Sequence, residues 1–384
     1  MIVLGGGAAG LLCAAEAGRR GRRVLVLERN AEPGRKILIS GGGRCNFTNT
    51  ATASERFLSE NPDFCRSALA RYGPADFIAK LDAHGIAWHE KKLGQLFCDG
   101  SARHVVAMLV RECREAGVEI RCGVEVEEVR REGGFVLATA GGALRCASLV
   151  VATGGVSIPK LGATDFAHRL ARRCGLAVTE TRPGLVPLRF TGEDHAFCAA
   201  LTGLSVDAVV RRGEAAFREH VLFTHRGLSG PALLQVSSGW RPGDEIALDL
   251  LPDEAAGAVL ADARARGRGL VRVLAERQPR RFAEAWAERY GPARPLAECS
   301  KAELAALAAQ LHAWTLRPSG SEGYAKAEVT VGGVDTRELS SRTLECRRVP
   351  GLHFIGEAVD VTGWLGGYNF QWAWASGFAA GQAV

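Results

Sequence analysis

The chain opens on a short apolar run, and the pattern of its first 28 residues predicts a strand, a helix and a second strand. Ile2–Leu4 have the apolar texture of a buried strand and lead into the glycine-rich turn Gly5–Gly10. Apolar side chains then recur at helical spacing, and Val24–Leu27 form a second buried run that ends at Glu28. Because the first strand begins at residue 2, the sequence leaves open whether further residues precede it.

The turn between this strand and the helix has the spacing G-x-G-x-x-G, which is typical of a dinucleotide site. Gly5 would make the turn, Gly7 would let the backbone approach a pyrophosphate, and Gly10 would let the helix pack closely on the strand. Glu28 is placed to accept hydrogen bonds from ribose hydroxyls. A lone G-x-G-x-x-G is a weak signal, but the surrounding strand, helix and acid make the prediction strong.

A second glycine-rich stretch, Gly34–Asn49, contains three consecutive glycines and three cations. Such a run forms neither a packed strand nor a good helix, so the backbone takes unusual φ angles or admits a ligand closely. Arg35, Lys36 and Arg44 favour an anionic ligand. On this stretch alone, a solvated surface loop is an equally good interpretation.

Later apolar runs also end in glycine or acid. Ser148–Val151 lead into Ala152–Gly155, and Leu352–Ile355 lead into Gly356-Glu357, with Asp360 just beyond. Both runs predict buried strands that return to the first sheet.

The chain ends in a glycine pair, Gly366-Gly367, before a helix of small and aromatic residues. A glycine pair before a helix N-terminus suits an anionic ligand edge. Trp372 and Trp374 are expected to lie in the core. Strand, acid, glycine pair and helix together are how flavin-binding folds end.

The middle of the chain has a different texture. Residues 188–252 alternate apolar and polar positions and predict a β-rich domain, while 253–315 lose the strand pattern and predict a helical insertion. We therefore expect five segments: a cofactor-binding domain over 1–187 and 351–384, a β-rich domain over 188–252 and 316–350, and helices over 253–315.

Composition narrows the functional classes. The chain has 384 residues, 47% hydrophobic and 23% charged, with no apolar run long enough to span a bilayer, so we expect a cytoplasmic protein. Net charge is +6, but the arginine clusters lack interleaved aromatics, which favours solvated helix ends over nucleic-acid contact. Eleven cysteines without C-x-x-C pairs argue against a disulfide framework and against a metal site.

The two glycine-rich stretches and the two later strand ends described above all predict a flavoprotein. The chain resembles the NAD(P)/FAD-dependent oxidoreductases of the BaiN/YhiN type, which include aminoacetone-oxidase-like and bile-acid-reductase-like enzymes. The most specific matches are Gly34–Asn46, Leu222–Pro231 and Gly363–Asn369. Many relatives carry G-R-x-F-P where this chain has Gly94–Cys98, which leaves substrate preference open. The resemblance implies an α/β fold: a two-dinucleotide-type FAD-binding Rossmann fold with an inserted β-rich domain and a helical subdomain.

Within that fold, Arg35 and Lys36 are expected near the adenosine end of FAD, and Ser40–Asn46 along the isoalloxazine. The candidate cofactor-binding residues are Gly5, Gly7, Ala8, Ala9, Gly10, Glu28, Arg29, Arg35, Lys36, Ser40, Gly41, Gly42, Gly43, Arg44, Cys45, Asn46, Val124, Ala152, Thr153, Gly154, Gly356, Glu357, Asp360, Gly366, Gly367, Tyr368 and Asn369.

Four side chains are candidates for catalysis. His225 and Arg226 pair a group that titrates near neutral pH with a fixed cation, although a structural role for His225 is slightly favoured. Tyr368 is expected to donate to substrate or to stack near the flavin. Cys45 lies beside Arg44, which would favour its thiolate, but packing against the cofactor is the stronger interpretation.

The leading hypothesis is an FAD-dependent oxidoreductase that transfers hydride between flavin and a small organic substrate. Only one dinucleotide motif is present, so NADH or NADPH would bind transiently at the flavin face. A flavin-dependent RNA-modifying or RNA-binding protein is the alternative from another class, motivated by the basic charge. A flavin-bound redox sensor without turnover is the third. The natural substrate and the oligomeric state stay open.

Overall fold

The computed structural model describes residues 1–384, which divide into two compact units. The first unit comprises 1–182 and 329–384, and the second comprises 183–328. Residues 329–350, which the sequence placed with the β-rich domain, therefore belong to the first unit. No helix of the structure has both the length and the apolar content needed to cross a membrane.

A five-stranded parallel sheet forms the centre of the first unit. Its strands, in spatial order, are Leu352–Phe354, Leu149–Val151, Ile2–Leu4, Leu25–Glu28 and Glu119–Cys122. The central strands are apolar along their whole length because helices and loops cover both faces, as in doubly wound folds. The strands contributed by both ends of the chain are thus neighbours in one sheet.

Smaller sheets complete the first unit. They are antiparallel: Val126–Arg131, Phe135–Thr139 and Gly142–Cys146 form a meander; Asn46–Asn49, Gln95–Cys98 and Trp88–Lys92 form a second sheet; and Phe57–Leu58 pair with Thr362–Gly363. The helices of this unit are Ala8–Arg19, Arg35–Ile39, Arg66–Arg71, Pro74–Ala83, Ala102–Glu115, Phe166–Arg173 and Tyr368–Gly381.

The first and last of these helices pack against each other because both present small residues. A Cβ added at Gly377 would lie 2.5 Å from the carbonyl oxygen of Ala9, so only glycine permits this approach. On its other side the C-terminal helix is aromatic: Trp374 is fully buried and stacks on Phe77 at 4.1 Å between ring centroids. Trp372 is also buried, so the predicted core position of both tryptophans is confirmed.

The second unit is built on a seven-stranded antiparallel sheet. Its strands, in spatial order, are Trp314–Leu316, Ile246–Asp249, Ser205–Arg212, Ala215–Thr224, Gly227–Ser229, Leu188–Arg189 and Gly320–Ser321. Its helices are Gly192–Ala200, Pro231–Ser237, Ala256–Ala265, Leu270–Ala275, Arg280–Tyr290 and Lys301–His312.

The helices over 253–315 share one core with this sheet. Phe282 lies between Phe223 of the sheet and Trp314, at 5.7 Å and 6.0 Å between ring centroids. The helical segment therefore completes the sheet's hydrophobic layer, because one face of an antiparallel sheet must be covered by an apolar partner.

Candidate functional site

The first glycine-rich turn has two crowded positions and one open position. An added Cβ at Gly5 would lie 2.4 Å from the carbonyl oxygen of Ala152, and at Gly10 2.0 Å from that of Gly5. At Gly7 an added Cβ would meet nothing within 4 Å. Gly7 caps the helix Ala8–Arg19, which has no acidic residue in its first turn and no side-chain cap. Its first amides are therefore available to an anion.

Glu28 is buried at the end of its strand, and each of its two carboxylate oxygens accepts hydrogen bonds from a different neighbouring residue. Oε2 accepts from the Gly6 N–H at 2.8 Å, and Oε1 accepts from both the backbone and side-chain N–H groups of Asn30 at 2.7 Å. Arg35 donates to Asn30 Oδ1 at 2.9 Å. These contacts hold the carboxylate beside the glycine turn, where it could accept a hydrogen bond from a ribose hydroxyl.

Two other candidates lie at the same end of the sheet. The Val124 N–H donates to the Glu28 carbonyl at 3.0 Å, so its backbone lies next to the strand end. Arg29 is exposed and pairs with the exposed Glu125 at 3.2 Å. An exposed ion pair of this kind is a weak contact that a ligand can displace.

The second glycine-rich stretch forms a short helix, Arg35–Ile39, followed by a left-handed turn. Gly41, Gly42 and Gly43 have φ angles of 55°, 66° and 86°, which residues with a Cβ rarely adopt. An added Cβ at Gly42 would meet nothing within 4 Å. This turn, Ser40–Asn46, is here named the glycine loop. Its open side presents bare backbone, as expected for a surface that a flat ring approaches.

Lys36, which the sequence places near the adenosine end of FAD, forms an ion pair with Glu357, just after the C-terminal strand. Its ammonium donates to Glu357 Oε2 and, at 2.9 Å, to Ser157 Oγ. Ser157 Oγ and the Thr330 N–H each donate to Glu357 Oε1 at 2.9 Å. Burial alone would raise the pKa of Glu357, but the Lys36 cation and these hydrogen bonds lower it below its usual range. The pair therefore ties the start of the glycine loop to the C-terminal strand end.

The second strand-end turn, Ala152–Gly154, carries an unpartnered polar atom. Thr153 Oγ1 is buried and has no hydrogen-bond partner in the protein. Gly154 has a φ of 73° and open space where a Cβ would stand. A buried hydroxyl without a partner costs free energy unless a ligand completes it.

Near the C-terminus, acid and glycine backbone surround the start of the last helix. Asp360 is buried, accepts from the Glu60 N–H at 2.9 Å, and has its pKa raised by burial. Gly356, with a φ of 64°, lies against Ala9. A Cβ at Gly367 would lie 2.2 Å from the Thr48 carbonyl oxygen. The helix Tyr368–Gly381 begins with no side-chain cap and no acid in its first turn.

Asn46 and Asn369 are both engaged by the protein. Oriented so that both its polar atoms are satisfied, the Asn46 amide accepts from the Gly367 N–H at 3.2 Å and donates to Leu96. Asn369 accepts from the Gly363 N–H and donates to the Gly363 carbonyl, each at 2.8 Å. These amides position the loops on either side of the helix start.

Tyr368 and Cys45 are buried in the first unit. The Tyr368 ring meets Phe57 and Trp364 edge-on at 6.1 Å and 6.4 Å, and burial raises the pKa of its phenol. Burial also raises the pKa of the Cys45 thiol, and Arg44 does not offset this. A thiol that stays protonated is a poor nucleophile, so the geometry favours packing for Cys45.

His225 and Arg226 lie in the second unit, at the exposed turn between Ala215–Thr224 and Gly227–Ser229. The His225 carbonyl accepts from His195 Nε2 at 3.0 Å, and Arg226 pairs with Glu322 at 3.6 Å. Both side chains are at the surface of that unit.

The sequence reasoning missed Asn49, which connects three segments. Its Nδ2 donates to the Gly366 carbonyl at 2.8 Å and to the Leu93 carbonyl at 3.2 Å, while it is itself buried. The available signal was a short amide side chain at the end of the strand Asn46–Asn49, directly after the glycine-rich stretch. Only the tertiary structure names its partners.

A match along nearly the whole chain now places the protein in a family. Residues 1–383 match the model described as HI0933-like protein Rossmann domain, so the chain belongs to the HI0933-like family. The predicted resemblance and the predicted flavin-binding Rossmann fold are thereby confirmed, and the class of the protein is a flavin-dependent oxidoreductase.

Among similar proteins, two carry the name ribosomal RNA dihydrouridine synthase. The one from Escherichia coli is 50% identical over 99% of this chain and 96% of its own. The one from Haemophilus influenzae is 44% identical over 100% and 98%. A 3-dehydro-bile acid delta(4,6)-reductase from Clostridium scindens is 30% identical over 100% and 98%.

The residues of the first unit fit an FAD. The open backbone at Gly7 and Gly154, the orphaned hydroxyl of Thr153 and the buried Glu28 are features that such a cofactor would complete. The glycine loop and the start of the C-terminal helix would hold the flavin end.

Proposed function

We propose that this protein is a flavin-dependent enzyme that reduces a uridine of ribosomal RNA to dihydrouridine. The observation that carries the proposal is full-length identity of 50% and 44% to two proteins of that name, from two organisms. The bile-acid reductase is also aligned over its full length, but at 30%. Of the hypotheses that the sequence raised, RNA modification is thus favoured over a small organic substrate.

Dihydrouridine forms when one hydride and one proton add across the C5–C6 double bond of uracil. A bound flavin supplies the hydride. The protein must hold the uracil, exclude water and deliver the proton. Tyr368 is the candidate donor because it is the first residue of the helix that follows Gly366-Gly367, and a phenol carries its proton at neutral pH.

The distribution of charge supports a nucleic-acid substrate. Residues 183–328 contain 18 Arg and Lys against 18 Asp and Glu, so the whole surplus of +6 lies in the first unit. That unit also holds the candidate flavin site. The net positive charge of the unit that holds the site would attract an RNA backbone, with affinity that falls steeply as salt rises.

The proposed reductant is NADH or NADPH, bound transiently. The chain has one dinucleotide turn, and the open space at Gly7 and the nearby Glu28 and Thr153 support its use by the flavin. The nicotinamide would therefore bind without a dinucleotide domain of its own.

The test uses the purified full chain loaded with FAD. Unmodified ribosomal RNA transcript is incubated with NADH or NADPH, and dihydrouridine is measured by nucleoside mass spectrometry. We expect dihydrouridine at one position and salt-sensitive RNA binding. The proposal is overturned if the flavin is reduced by NAD(P)H, the RNA stays unmodified, and a steroid enone is reduced instead.

Within that assay, Tyr368→Phe should lower the rate of dihydrouridine formation by about a hundredfold while flavin content is unchanged. Flavin reduction by NAD(P)H serves as the internal control, because it does not need the phenol proton. An unchanged rate would exclude Tyr368 as the proton donor.

A further inference from the structure

The most exposed large apolar side chain of the protein is Leu93, which is 65% exposed at the tip of the hairpin Trp88–Cys98. Leu93 and Gly94 are the two turn residues, with φ angles of 52° and 76°. Two positive φ angles define a type I′ turn, in which Asn-Gly is strongly preferred. Leucine is strained at this positive φ angle, so the turn itself does not explain why leucine is present.

The hairpin tip is fixed next to the loops of the candidate flavin site. Asn49 donates to both the Leu93 carbonyl and the Gly366 carbonyl, and the Thr50 N–H donates to the Gly94 carbonyl at 2.9 Å. A Cβ at Gly366 would lie 2.9 Å from the side chain of Gln95. The Leu93 backbone is therefore one buried side chain away from the glycine pair that precedes the C-terminal helix.

The surroundings of the tip are basic. Lys91 and Lys92 are exposed on the strand leading into the turn, and the Lys91 ammonium lies 5.3 Å above the ring of Phe97. The exposed Arg44 of the glycine loop lies at the other end of the same hairpin, where its carbonyl accepts from the Cys98 N–H at 3.0 Å, so it is placed for a phosphate farther along the RNA than those near the tip. The neighbouring acid, Glu90, accepts from the Gly94 N–H at 2.9 Å and supports the turn.

Chemistry on a nucleobase inside folded RNA requires that the base leave its stack. Proteins stabilise such a gap by inserting an apolar side chain between bases, with cations on the neighbouring phosphates. We propose that Leu93 is this wedge: it enters the RNA stack beside the target uridine, while Lys91, Lys92 and Arg44 hold the flanking phosphates. The inference rests on the proposed function and names how the same site obtains its substrate.

The decisive variant is Leu93→Asn. Asn-Gly suits a type I′ turn better than Leu-Gly, so this change removes the wedge while favouring the hairpin. The matched control is Val271→Asn, which changes an exposed aliphatic residue of the second unit. Each flavin-loaded variant is assayed on structured ribosomal RNA and on a short single-stranded oligonucleotide with the same uridine.

We expect Leu93→Asn to lower kcat/KM on structured RNA by about tenfold or more, with little change on the oligonucleotide, where no base must be unstacked. Flavin content and NAD(P)H reduction should match wild type, and Val271→Asn should behave as wild type. A 2-aminopurine placed beside the target uridine should brighten with wild type and stay dim with Leu93→Asn.

The cations have a separate signature. Lys91→Ala and Arg44→Ala should each reduce the slope of log affinity against log salt by about 1. The wedge is overturned if wild type modifies structured RNA and Leu93→Asn does so equally well. If wild type modifies neither RNA while its flavin turns over on small molecules, the proposed function fails and the wedge with it.

Discussion

The two glycine-rich stretches of the first unit are glycine for different reasons. In Gly5–Gly10 the backbone is crowded: an added Cβ at Gly5 or Gly10 would overlap a carbonyl oxygen. In the glycine loop Gly42 has open space around it, and its positive φ is what excludes other residues. Gly10 is therefore required by packing and Gly42 by backbone conformation, while Gly5 and Gly41 combine a positive φ with a crowded Cβ position.

The space at the Cβ position distinguishes glycines that the fold requires from glycines that a ligand would require. A crowded glycine is needed whether or not a cofactor binds, because a methyl group there must displace backbone. An open glycine with an ordinary negative φ is needed only if something outside the protein fills the space. Gly7 is the informative position, since it lies within the crowded stretch but faces open space.

The largest expected effect is from Gly10→Ala. A methyl group 2.0 Å from the Gly5 carbonyl oxygen forces the first helix off the sheet, at a cost near the upper end of overpacking, about 3 kcal/mol. The measurement is urea unfolding of the apo protein. A free energy of unfolding equal to that of wild type would contradict the claim that packing requires glycine at position 10.

Next is Gly42→Val, which should abolish FAD retention. A β-branched residue is strained in the left-handed region by about 1–2 kcal/mol, and its bulk stands on the open side of the loop. Flavin absorbance after gel filtration reports the loss, and far-ultraviolet circular dichroism checks that the helix content of the whole chain persists. Asparagine adopts this φ angle more readily than valine and has a similar size, so Gly42→Asn separates backbone strain from side-chain bulk. If Gly42→Asn keeps its flavin and Gly42→Val loses it, backbone strain is the cause of the loss.

Gly7→Ala should leave apo stability within about 0.5 kcal/mol of wild type, because the methyl group touches no protein atom. It should weaken FAD binding by about tenfold or more, as overpacking against a bound ligand does. Titration of apo protein with FAD gives the affinity. If Gly7→Ala binds FAD normally, the open space is not the pyrophosphate site.

The smallest effect concerns the tether of the glycine loop. Lys36→Met leaves Glu357 without its cation, and stability at neutral pH should fall by about 1 kcal/mol, since both side chains keep some solvent contact. The pKa of Glu357 is lowered in the folded protein, so its contribution is present above the ordinary glutamate range and is lost as pH falls through the folded value.

The pH profile of unfolding checks this sign. Wild type should lose stability on acidification in a window that Glu357→Gln lacks. An identical acid profile in Glu357→Gln would show that the tether carries no pH dependence.

Much of the first unit could be predicted because its signals are local. The strand before Gly5, the helix after it and the acid at Glu28 are adjacent in sequence, and the structure has Ile2–Leu4, Ala8–Arg19 and Leu25–Glu28 in those places. These elements could be predicted because the apolar runs, the glycine turn and the acid lie within 28 residues of the sequence and form one recognisable pattern.

The division into units was less predictable. Val329–Val331 is an apolar strand that would suit either unit, and the sequence assigned it to the β-rich domain. In the structure Thr330 supports both Ser157 and Glu357 in the first unit. Burial decides such assignments, and burial depends on partners that are distant in sequence.

The class of fold and the two glycine-rich stretches followed from the sequence alone, which also predicted an anionic ligand for these stretches. Tertiary structure decided which glycines are crowded and which are open, that Lys36 pairs with Glu357, and that Asn49 joins the Leu93 tip to Gly366. The physical reason is distance along the chain: Lys36 and Glu357 are 321 residues apart, and nothing in either local pattern specifies the other.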